Sequence, residues 1–226
     1  MMLSTHPDPV GFLQRIRASA VTGTKVKICG ITSVDDGLAA VDAGADAIGL
    51  VFYRGSKRFV ELELATEIVA AVGPFVTTVG LFVNEQIEYV ERAYQHTGIH
   101  MVQLHGDEDS TYCGQLKMPF IKAIRMAPDL DPRQAIEGFP RAAAFLFDAW
   151  EPDQYGGTGT GFDWLRISDI AGRATILAGG LSADNVGEAV AMVAPYAVDV
   201  SGGVETSPGR KDALLMQRFV KAAKSV

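Results

Sequence analysis

Short, nearly continuous runs of apolar residues alternate with longer amphipathic segments along most of this chain. Such runs are typical of strands that are buried on both faces, as in parallel sheets. The segments between them have the length and the spacing of apolar positions that surface helices show. Eight strands are predicted, at residues 25–29, 46–52, 76–83, 100–104, 120–125, 143–148, 174–178 and 197–201.

Capping residues and glycines predict where the intervening helices begin and end. Thr32 or Ser33 is expected to cap the helix after the first strand, and Gly44 is expected to end it. The same device predicts three further helix starts, at Asn84, Asp107 and Ser182. A last helix is predicted over residues 211–223, and the leader before the first strand contains a short candidate helix at 10–18.

The alternation of strands and helices predicts an α/β fold with a parallel sheet and helical crossovers. Eight parallel strands are the number that closes a (βα)8 TIM barrel and removes both sheet edges. An open doubly wound sheet is the alternative, but no Gly-x-Gly-x-x-Gly follows the first strand. We predict one barrel domain over residues 25–226, preceded by an N-terminal extension, residues 1–24, to which we assign no role.

The charge balance narrows the classes of partner. The chain carries 20 Lys and Arg residues against 27 Asp and Glu residues, a net charge of -7, with no run of like charge. Nucleic-acid-binding proteins normally have a basic patch, so we expect no nucleic-acid partner.

No apolar stretch approaches the ~20 residues of a membrane helix, and residues 1–24 lack a signal-peptide pattern. We therefore expect a cytoplasmic protein with no membrane partner.

Cys29 and Cys113 are the two cysteines of the sequence, and their spacing fits neither a metal site nor a Cys-x-x-Cys pair. We expect no metal site and no disulfide scaffold. A free cysteine is usually a buried structural residue, and this interpretation applies to Cys29 as well. Cys29 is, however, the last strand residue before Gly30. Lysines are near it in the sequence, and a predicted helix begins shortly after it. Both features favour a thiolate, which can act as a general base.

Asp148 ends a later apolar strand, and the carboxyl ends of parallel strands converge on one face of a barrel. The carboxyl group could simply cap the following turn. At an apolar barrel mouth, desolvation would raise its pKa, which suits a proton donor. A proton-accepting thiolate at Cys29 and a proton-donating acid at Asp148 are the pair that an isomerase needs.

Two glycine turns follow the seventh and eighth predicted strands. The first contains Gly179 and Gly180, and the second contains Ser201, Gly202 and Gly203. Each could be an ordinary tight turn. In parallel barrels, however, phosphate groups are frequently bound by backbone N–H groups after these two strands. The order of the turns therefore predicts a phosphate site.

A basic loop after the second strand supplies a candidate for binding a carboxylate. Arg58 could hold such a group with two parallel hydrogen bonds if the loop folds over the mouth. Arg54 and Lys57 compete for the role, and a loop of this kind is usually only solvated.

Three more polar side chains lie near predicted strand ends. Gln103 and His105 are expected to line the pocket, although a histidine here is more often a structural hydrogen-bonding residue. Asp199 would point inward together with Ser201, because side chains alternate along a strand. It could accept a hydrogen bond from a sugar hydroxyl, or it could be a buried carboxylate satisfied by the barrel.

Together these segments resemble phosphoribosylanthranilate isomerase, a family of tryptophan biosynthesis, over nearly the whole chain from Lys25 onward. The matching segments are KICGIT at 27–32, GLVFY at 49–53, SKR at 56–58, VGLFVN at 79–84, VQLHG at 102–106, FD at 147–148, GGTG at 156–159, FDW at 162–164, AGGL at 178–181, VDVSGGVE at 198–205 and PG at 208–209. The chain departs from the family pattern at Thr160-Gly161 and in its longer leader.

The resemblance implies an Amadori rearrangement of N-(5-phosphoribosyl)anthranilate, a phosphorylated small molecule, without a metal or an organic cofactor. It implies that Asp148 protonates the furanose oxygen and that Cys29 removes the C2 proton. Arg58 would hold the anthranilate carboxylate, and the two glycine turns would hold the phosphate. A monomer and a homodimer both remain open.

Three other functions remain as alternatives. The related sugar-phosphate isomerase of histidine biosynthesis performs the same rearrangement, but that family has an Asp at the position of Cys29. A noncatalytic phosphate-binding barrel would be expected to lose the thiol or the acid, and both are present here. A redox protein that uses Cys29 with Cys113 is least favoured, because the spacing is not that of a redox pair.

Overall fold

A computed structural model describes residues 23–150, 162–168, 170 and 172–226 of the chain. Its strands β1 to β8 form a closed barrel in which every neighbouring pair is parallel, including the pair that joins β8 to β1. The strands are Lys25–Cys29, Ala47–Val51, Thr77–Phe82, Met101–Leu104, Phe120–Met126, Ala144–Ala149, Thr175–Leu177 and Ala197–Val200. The predicted TIM barrel is therefore confirmed, and the open sheet is excluded.

Helices connect the strands and cover the outside of the barrel. Helices α1 to α7 are Val34–Asp42, Leu62–Val72, Ile87–Thr97, Ser110–Gln115, Pro132–Glu137, Val186–Val193 and Ala213–Lys224. Short 3-10 helices are present at Trp164–Ile167 and Gly202–Val204, and a small antiparallel pair, β9 (Glu205–Ser207) and β10 (Arg210–Lys211), follows β8. The candidate helix at 10–18 and the Thr160-Gly161 departure lie outside the described residues.

The helix-start predictions are right once and wrong elsewhere. Ser33 caps α1, because its hydroxyl accepts a hydrogen bond from the Asp36 amide at 3.1 Å. Asn84 begins no helix, since it has a left-handed φ of 51° and its side chain accepts from the Asp107 amide of another loop at 2.7 Å. The helices expected at Asp107 and Ser182 begin later, and their N-caps are Asp109 and Asn185.

The predicted last helix is present, but its first residue differs from the prediction. It begins at Ala213, and the N-cap Asp212 accepts hydrogen bonds from the Leu214 and Leu215 amides. Lys211 belongs instead to β10, which pairs with β9. This change matters for the site, because the Lys211 side chain turns inward under the barrel mouth.

Alternation along the strands produces two buried layers. On β1, Val26 and Ile28 face the helices and belong to the large core that includes the fully buried Phe82 and Phe145. Burial of each such large side chain contributes about 1.5–3 kcal/mol. The inward-facing positions carry alanines, aliphatic side chains such as Leu146 and Ile176, or polar groups.

The barrel interior changes in character along its axis. Ala47, Ala144 and Ala197 occupy the end where the strands begin, and they pack in a second apolar cluster. Buried polar side chains lie nearer the carboxyl ends of the strands: Lys27, Gln103, His105, Asp148 and Asp199. The candidate chemistry is therefore concentrated at the carboxyl end of the barrel, where α/β barrels place their active sites. Within the described residues, no helix has the length and apolar character needed to cross a lipid bilayer.

Candidate active site

A cavity of about 310 Å³ opens at the carboxyl ends of β6, β7 and β8. Seven of the residues predicted for the site lie on its wall: Asp148, Gly179, Gly180, Asp199, Ser201, Gly202 and Gly203. Their sequence positions are distant, and the barrel closure brings them together. The cavity thus joins one candidate acid with both candidate phosphate turns.

Two glycines of this cavity, Gly179 and Gly203, are required by close approach. A Cβ added to Gly179 would lie 2.7 Å from the Ala149 amide nitrogen and 3.0 Å from Asp148 Oδ1, and its φ is +82°. A Cβ on Gly203 would collide with the Leu181 carbonyl oxygen. Both turns therefore present backbone to the cavity, which is what a phosphate-binding wall needs.

Cys29 ends β1 beside this cavity and is 5 % exposed, but it is not part of the cavity wall. Its sulfur lies over Gly49 of β2, where an added Cβ would be 2.6 Å from Sγ. The Cys29 carbonyl accepts a hydrogen bond from Lys211 Nζ at 2.6 Å, and the same ammonium donates to the Ser201 carbonyl at 3.1 Å. Cys29 therefore sits next to the second glycine turn.

The surroundings of Cys29 correct the expectation that they favour a thiolate. Burial raises the pKa of the Cys29 thiol, while the ammonium groups of Lys27 and Lys211 lower it and the Asp199 carboxylate raises it further. The net direction is upward, so desolvation outweighs the two lysines. The expected effect of a nearby lysine is present, since Lys27 lowers the pKa of the thiol, but the sequence does not show the burial that outweighs it.

Lys27 and Asp199 form a buried ion pair across the seam between β1 and β8. Lys27 Nζ is 2.7 Å from Asp199 Oδ1, and the two residues are register partners. Burial opposes the charged form of Lys27, but attraction to Asp199 and Cys29 prevails and raises its pKa. Asp199, predicted to accept from a sugar hydroxyl, thus already accepts from an ammonium group while also lining the cavity.

Asp148, His105 and Gln103 form a hydrogen-bonded series at the end of β4. Its Oδ2 is 3.1 Å from His105 Nε2, and its Oδ1 accepts from the Ala149 amide at 2.9 Å. His105 Nδ1 is 2.9 Å from Gln103 Nε2. Both residues are buried: His105 contacts Asp148, Gln103 contacts His105, and neither lines the cavity as predicted.

Arg58 lies at the rim and is held by Glu205. Its Nε and Nη2 donate to the two Glu205 oxygens at 2.8 Å each, and Lys211 Nζ donates to the same carboxylate at 2.7 Å. These hydrogen bonds raise the pKa of Arg58, and together with Lys211 they lower the pKa of Glu205 in spite of its burial. The Arg58 side chain crosses over Gly30, and Nη2 is 3.5 Å from where a Gly202 Cβ would lie.

The competitor Arg54 has a different position. It pairs with Glu61 at 3.2 Å on the surface and covers the ring of Phe59. Its side chain is 73 % exposed, against 15 % for Arg58. Of the two arginines, Arg58 is therefore the one placed beside the second glycine turn.

Four residues of this site did not emerge from the sequence as site residues. Lys27 could have been found, because it is two positions before Cys29 and so faces the same side of the strand. Gly49 could not, since its role depends on register with Cys29. Glu205 and Lys211 act through contacts on a hairpin that has no periodic signal.

Comparison with known sequences gives a consistent result. The sequence profile of the family described as N-(5'phosphoribosyl)anthranilate (PRA) isomerase matches residues 26–222. An N-(5'-phosphoribosyl)anthranilate isomerase of Neisseria meningitidis serogroup C is 51% identical over 199 residues, which are 88% of this chain and 96% of that protein. The Geobacter metallireducens isomerase is 52% identical over 206 residues, 89% of this chain and 99% of the relative.

Solved structures give the same family. The Thermotoga maritima phosphoribosyl anthranilate isomerase superimposes with a TM-score of 0.82 at 39% identity, covering 90% of this chain and 100% of that one. A structure of the isomerase in complex with reduced 1-(o-carboxyphenylamino)-1-deoxyribulose 5-phosphate gives 0.79 at 38% identity, with the same coverage. Profile, sequence relatives and fold agree, and this chain belongs to the N-(5'-phosphoribosyl)anthranilate isomerase family.

Proposed function

We propose that this chain converts N-(5-phosphoribosyl)anthranilate into 1-(2-carboxyphenylamino)-1-deoxyribulose 5-phosphate, the Amadori rearrangement of tryptophan biosynthesis. One observation carries the proposal, namely that a single cavity combines the Asp148 carboxyl group with two glycine turns. Its volume of about 310 Å³ is at the small end of the range for ligand sites. The family and the solved complex with a reduced form of the product support the same reaction.

Substrate binding is assigned to the two ends of the site. Backbone N–H groups of the turns at Gly179-Gly180 and Ser201-Gly202-Gly203 bind the phosphate, since both turns line the cavity. Arg58 binds the anthranilate carboxylate. Its pairing with Glu205 uses two of the five N–H groups of a guanidinium and keeps it cationic, so it retains donors for a second carboxylate.

Asp148 acts first, as the general acid. It gives its proton to the furanose ring oxygen while the C1–O bond breaks, and the anthranilate nitrogen lone pair forms the C1=N bond of an open-chain Schiff base. The Asp148 carboxylate left behind is stabilised by the Ala149 amide and by His105. A positioned acid of this kind contributes ~10²–10⁴-fold to the rate.

Cys29 acts second, as the general base. Its thiolate takes the proton from C2, and the C–H electron pair forms the C1=C2 bond of an enolamine as the nitrogen regains its lone pair. Loss of the enol proton and protonation of C1 then give the ketone. Because burial raises the pKa of the Cys29 thiol, the thiolate fraction is small but strongly basic, and turnover is expected to rise with pH.

The test is a fluorescence assay that follows the disappearance of phosphoribosylanthranilate with the purified protein. Cys29→Ala and Asp148→Ala are each expected to lower kcat by at least ~10²-fold, with a cooperative thermal transition retained. Cys113→Ala is the matched control, because Cys113 is equally a free, buried cysteine but lies on helix α4. A Cys29→Ala variant with the activity of the Cys113→Ala control would overturn the base assignment.

Three broader assignments complete the proposal. The catalytic domain is residues 25–226, since the Neisseria relative is covered to 96% by an alignment of 199 residues. A chain that starts at Lys25 is therefore expected to keep full activity. The protein is cytoplasmic, as its biosynthetic family suggests. It forms a homodimer, as the dimeric Thermotoga maritima isomerase does, and light scattering of the purified chain tests this last point.

A further inference from the structure

A buried ammonium group joins the ends of two neighbouring strands beside the candidate base. Lys211 Nζ donates hydrogen bonds to the Cys29 carbonyl at 2.6 Å, to the Ser201 carbonyl at 3.1 Å and to Glu205 Oε1 at 2.7 Å. The Lys211 side chain is fully buried, and the three contacts use all three donors of an ammonium group. Because a buried charge is costly without such partners, the three acceptors are held closely around Nζ.

This contact continues the closure of the barrel beyond its last paired residues. Between β1 and β8 the last register pair is Ile28 and Val200. One residue further along each strand, the carbonyl groups of Cys29 and Ser201 bind the same ammonium group. Lys211 therefore sets the separation between the proposed base and the first residue of the second glycine turn.

Glu205 extends the contact to the candidate carboxylate-binding arginine. Its Oε1 accepts from Lys211 Nζ and from Arg58 Nε, and its Oε2 accepts from Arg58 Nη2 at 2.8 Å. The Glu205 side chain is only 4 % exposed, so these charged groups bind one another with little competition from water. A hydrogen-bonded series thus runs from Arg58 through Glu205 and Lys211 to the backbone at the ends of β1 and β8.

The hairpin that carries Glu205 and Lys211 is also attached to the first crossover of the barrel. The Lys211 amide donates to Asp36 Oδ2 at 3.2 Å in the first turn of α1. The Thr32 hydroxyl donates to the Gly209 carbonyl in the turn of the hairpin. These contacts fix the backbone of the hairpin, so the ammonium group holds its partners in place rather than following them.

We propose that Lys211 and Glu205 are positioning residues for the substrate. They fix the spacing between the three groups that contact it, which are Arg58, Cys29 and the turn at Ser201-Gly202-Gly203. The inference rests on the proposed function, which assigns the anthranilate carboxylate to Arg58 and the phosphate to this turn. A ligand that carries both groups binds at both ends only when their separation matches its length. Lys211 and Glu205 do not line the cavity, so they act through the groups that they hold.

A similar contact on the opposite side of the barrel provides a matched control. Lys122 Nζ on β5 donates to the Leu104 and Gly106 carbonyls at 3.5 and 2.8 Å and to Glu108 Oε2 at 2.9 Å. Glu108 also accepts from the Asn84 and Gly106 amides, so it holds backbone instead of a substrate-binding side chain. Replacing Lys122 removes the same kinds of interaction without loosening either substrate-binding end.

The test measures how well the full chain holds two ligand groups at once. The dissociation constants of inorganic phosphate, anthranilate and reduced 1-(o-carboxyphenylamino)-1-deoxyribulose 5-phosphate are measured by calorimetry. The product of the two fragment constants, divided by the constant of the whole ligand, gives the effective concentration of one group at its site when the other is bound. In Lys211→Met this effective concentration is expected to fall at least ~10-fold, while both fragment constants stay close to those of the wild type.

Further variants and one kinetic constant complete the test. Glu205→Asp keeps both ion pairs but shortens the connection between Lys211 and Arg58 by one methylene group, so it should also lower the effective concentration. Lys122→Met and Glu108→Asp should leave the effective concentration unchanged. The kcat of Lys211→Met should fall by ~10²-fold, because a displacement of about 1 Å in a reacting group such as the Cys29 thiol costs this much.

The outcomes separate the inference from the proposed function. A wild-type effective concentration in Glu205→Asp and in folded Lys211→Met would overturn the inference, and so would an equal fall in Lys122→Met. Failure of the wild-type chain to bind the reduced product would overturn the proposed function and the inference with it.

Discussion

The contact between Gly49 and Cys29 allows a sharp test of how closely the sulfur must be placed. Gly49→Ala adds one methyl group, whose carbon would lie 2.6 Å from Cys29 Sγ, 3.1 Å from Cys29 Cα and 3.2 Å from Cys29 Cβ. The strands cannot easily separate here, because the Gly49 carbonyl accepts from the Gly30 and Ile31 amides at 2.9 and 3.0 Å. The thiol must therefore move.

The size of the movement follows from these distances. Ordinary contact with a Cβ begins near 3.4 Å, so Sγ must shift by about 0.8 Å or change rotamer. A misplacement of about 1 Å in a reacting group costs on the order of 10²-fold in rate. Overpacking of this kind costs about 1–3 kcal/mol of stability. We expect kcat to fall by ~10²-fold while the protein remains folded.

The assay is kcat with phosphoribosylanthranilate, together with the thermal transition of the same sample. Gly114→Ala in helix α4 is the matched control, since nothing lies within 4 Å of its added Cβ. That variant should keep wild-type kcat. If Gly49→Ala also keeps wild-type kcat, then either the sulfur is not held as described or Cys29 is not the base, and the reasoning fails.

Three further predictions use the charges and turns around the site. Lys27→Met should shift the rise of kcat/KM with pH to higher pH, because Lys27 lowers the pKa of the Cys29 thiol. Asp199→Asn should shift this rise to lower pH, because Asp199 raises that pKa. Shifts in the same direction would contradict this. Glu205→Gln should raise KM about tenfold, because Arg58 loses a charged partner. Glu61 is the surface partner of Arg54, and Glu61→Gln should leave KM unchanged. Equal effects of the two substitutions would contradict the placement of Arg58. Gly203→Ala, whose Cβ meets the Leu181 carbonyl, should weaken competitive inhibition by inorganic phosphate, and an unchanged inhibition constant would remove this turn from the phosphate site.

The strands could be predicted from sequence because each is a compact apolar run, and all eight are present within two residues of the expected ends. Features that depend on contacts with residues distant in sequence could not be predicted in this way. Asn84 resembles a helix cap, yet its side chain binds a loop 23 positions away. Lys211 resembles a helix residue, yet its ammonium group binds the Cys29 carbonyl 182 positions away.

The candidate site likewise has some features that the sequence predicts and others that depend on contacts formed only in the folded protein. Cys29, Asp148 and the glycine turns could be identified because strand ends meet on one face of a barrel. The raised pKa of Cys29 could not, since desolvation depends on what packs around the sulfur. Gln103 and His105 were identified as site residues, but their position behind Asp148 depends on the orientation of their side chains.

The Lys27–Asp199 pair joins residues 172 positions apart, and it has a consequence for how the protein is made. A ribosome releases β1 long before it releases β8, so a growing chain carries the ammonium group without its counterion. Removing one partner of a buried ion pair costs about 3–5 kcal/mol, which disfavours premature closure of the remaining strands. Prematurely terminated products that lack β8 should stay open and be degraded. The ion pair beside the proposed base thus also disfavours incomplete chains.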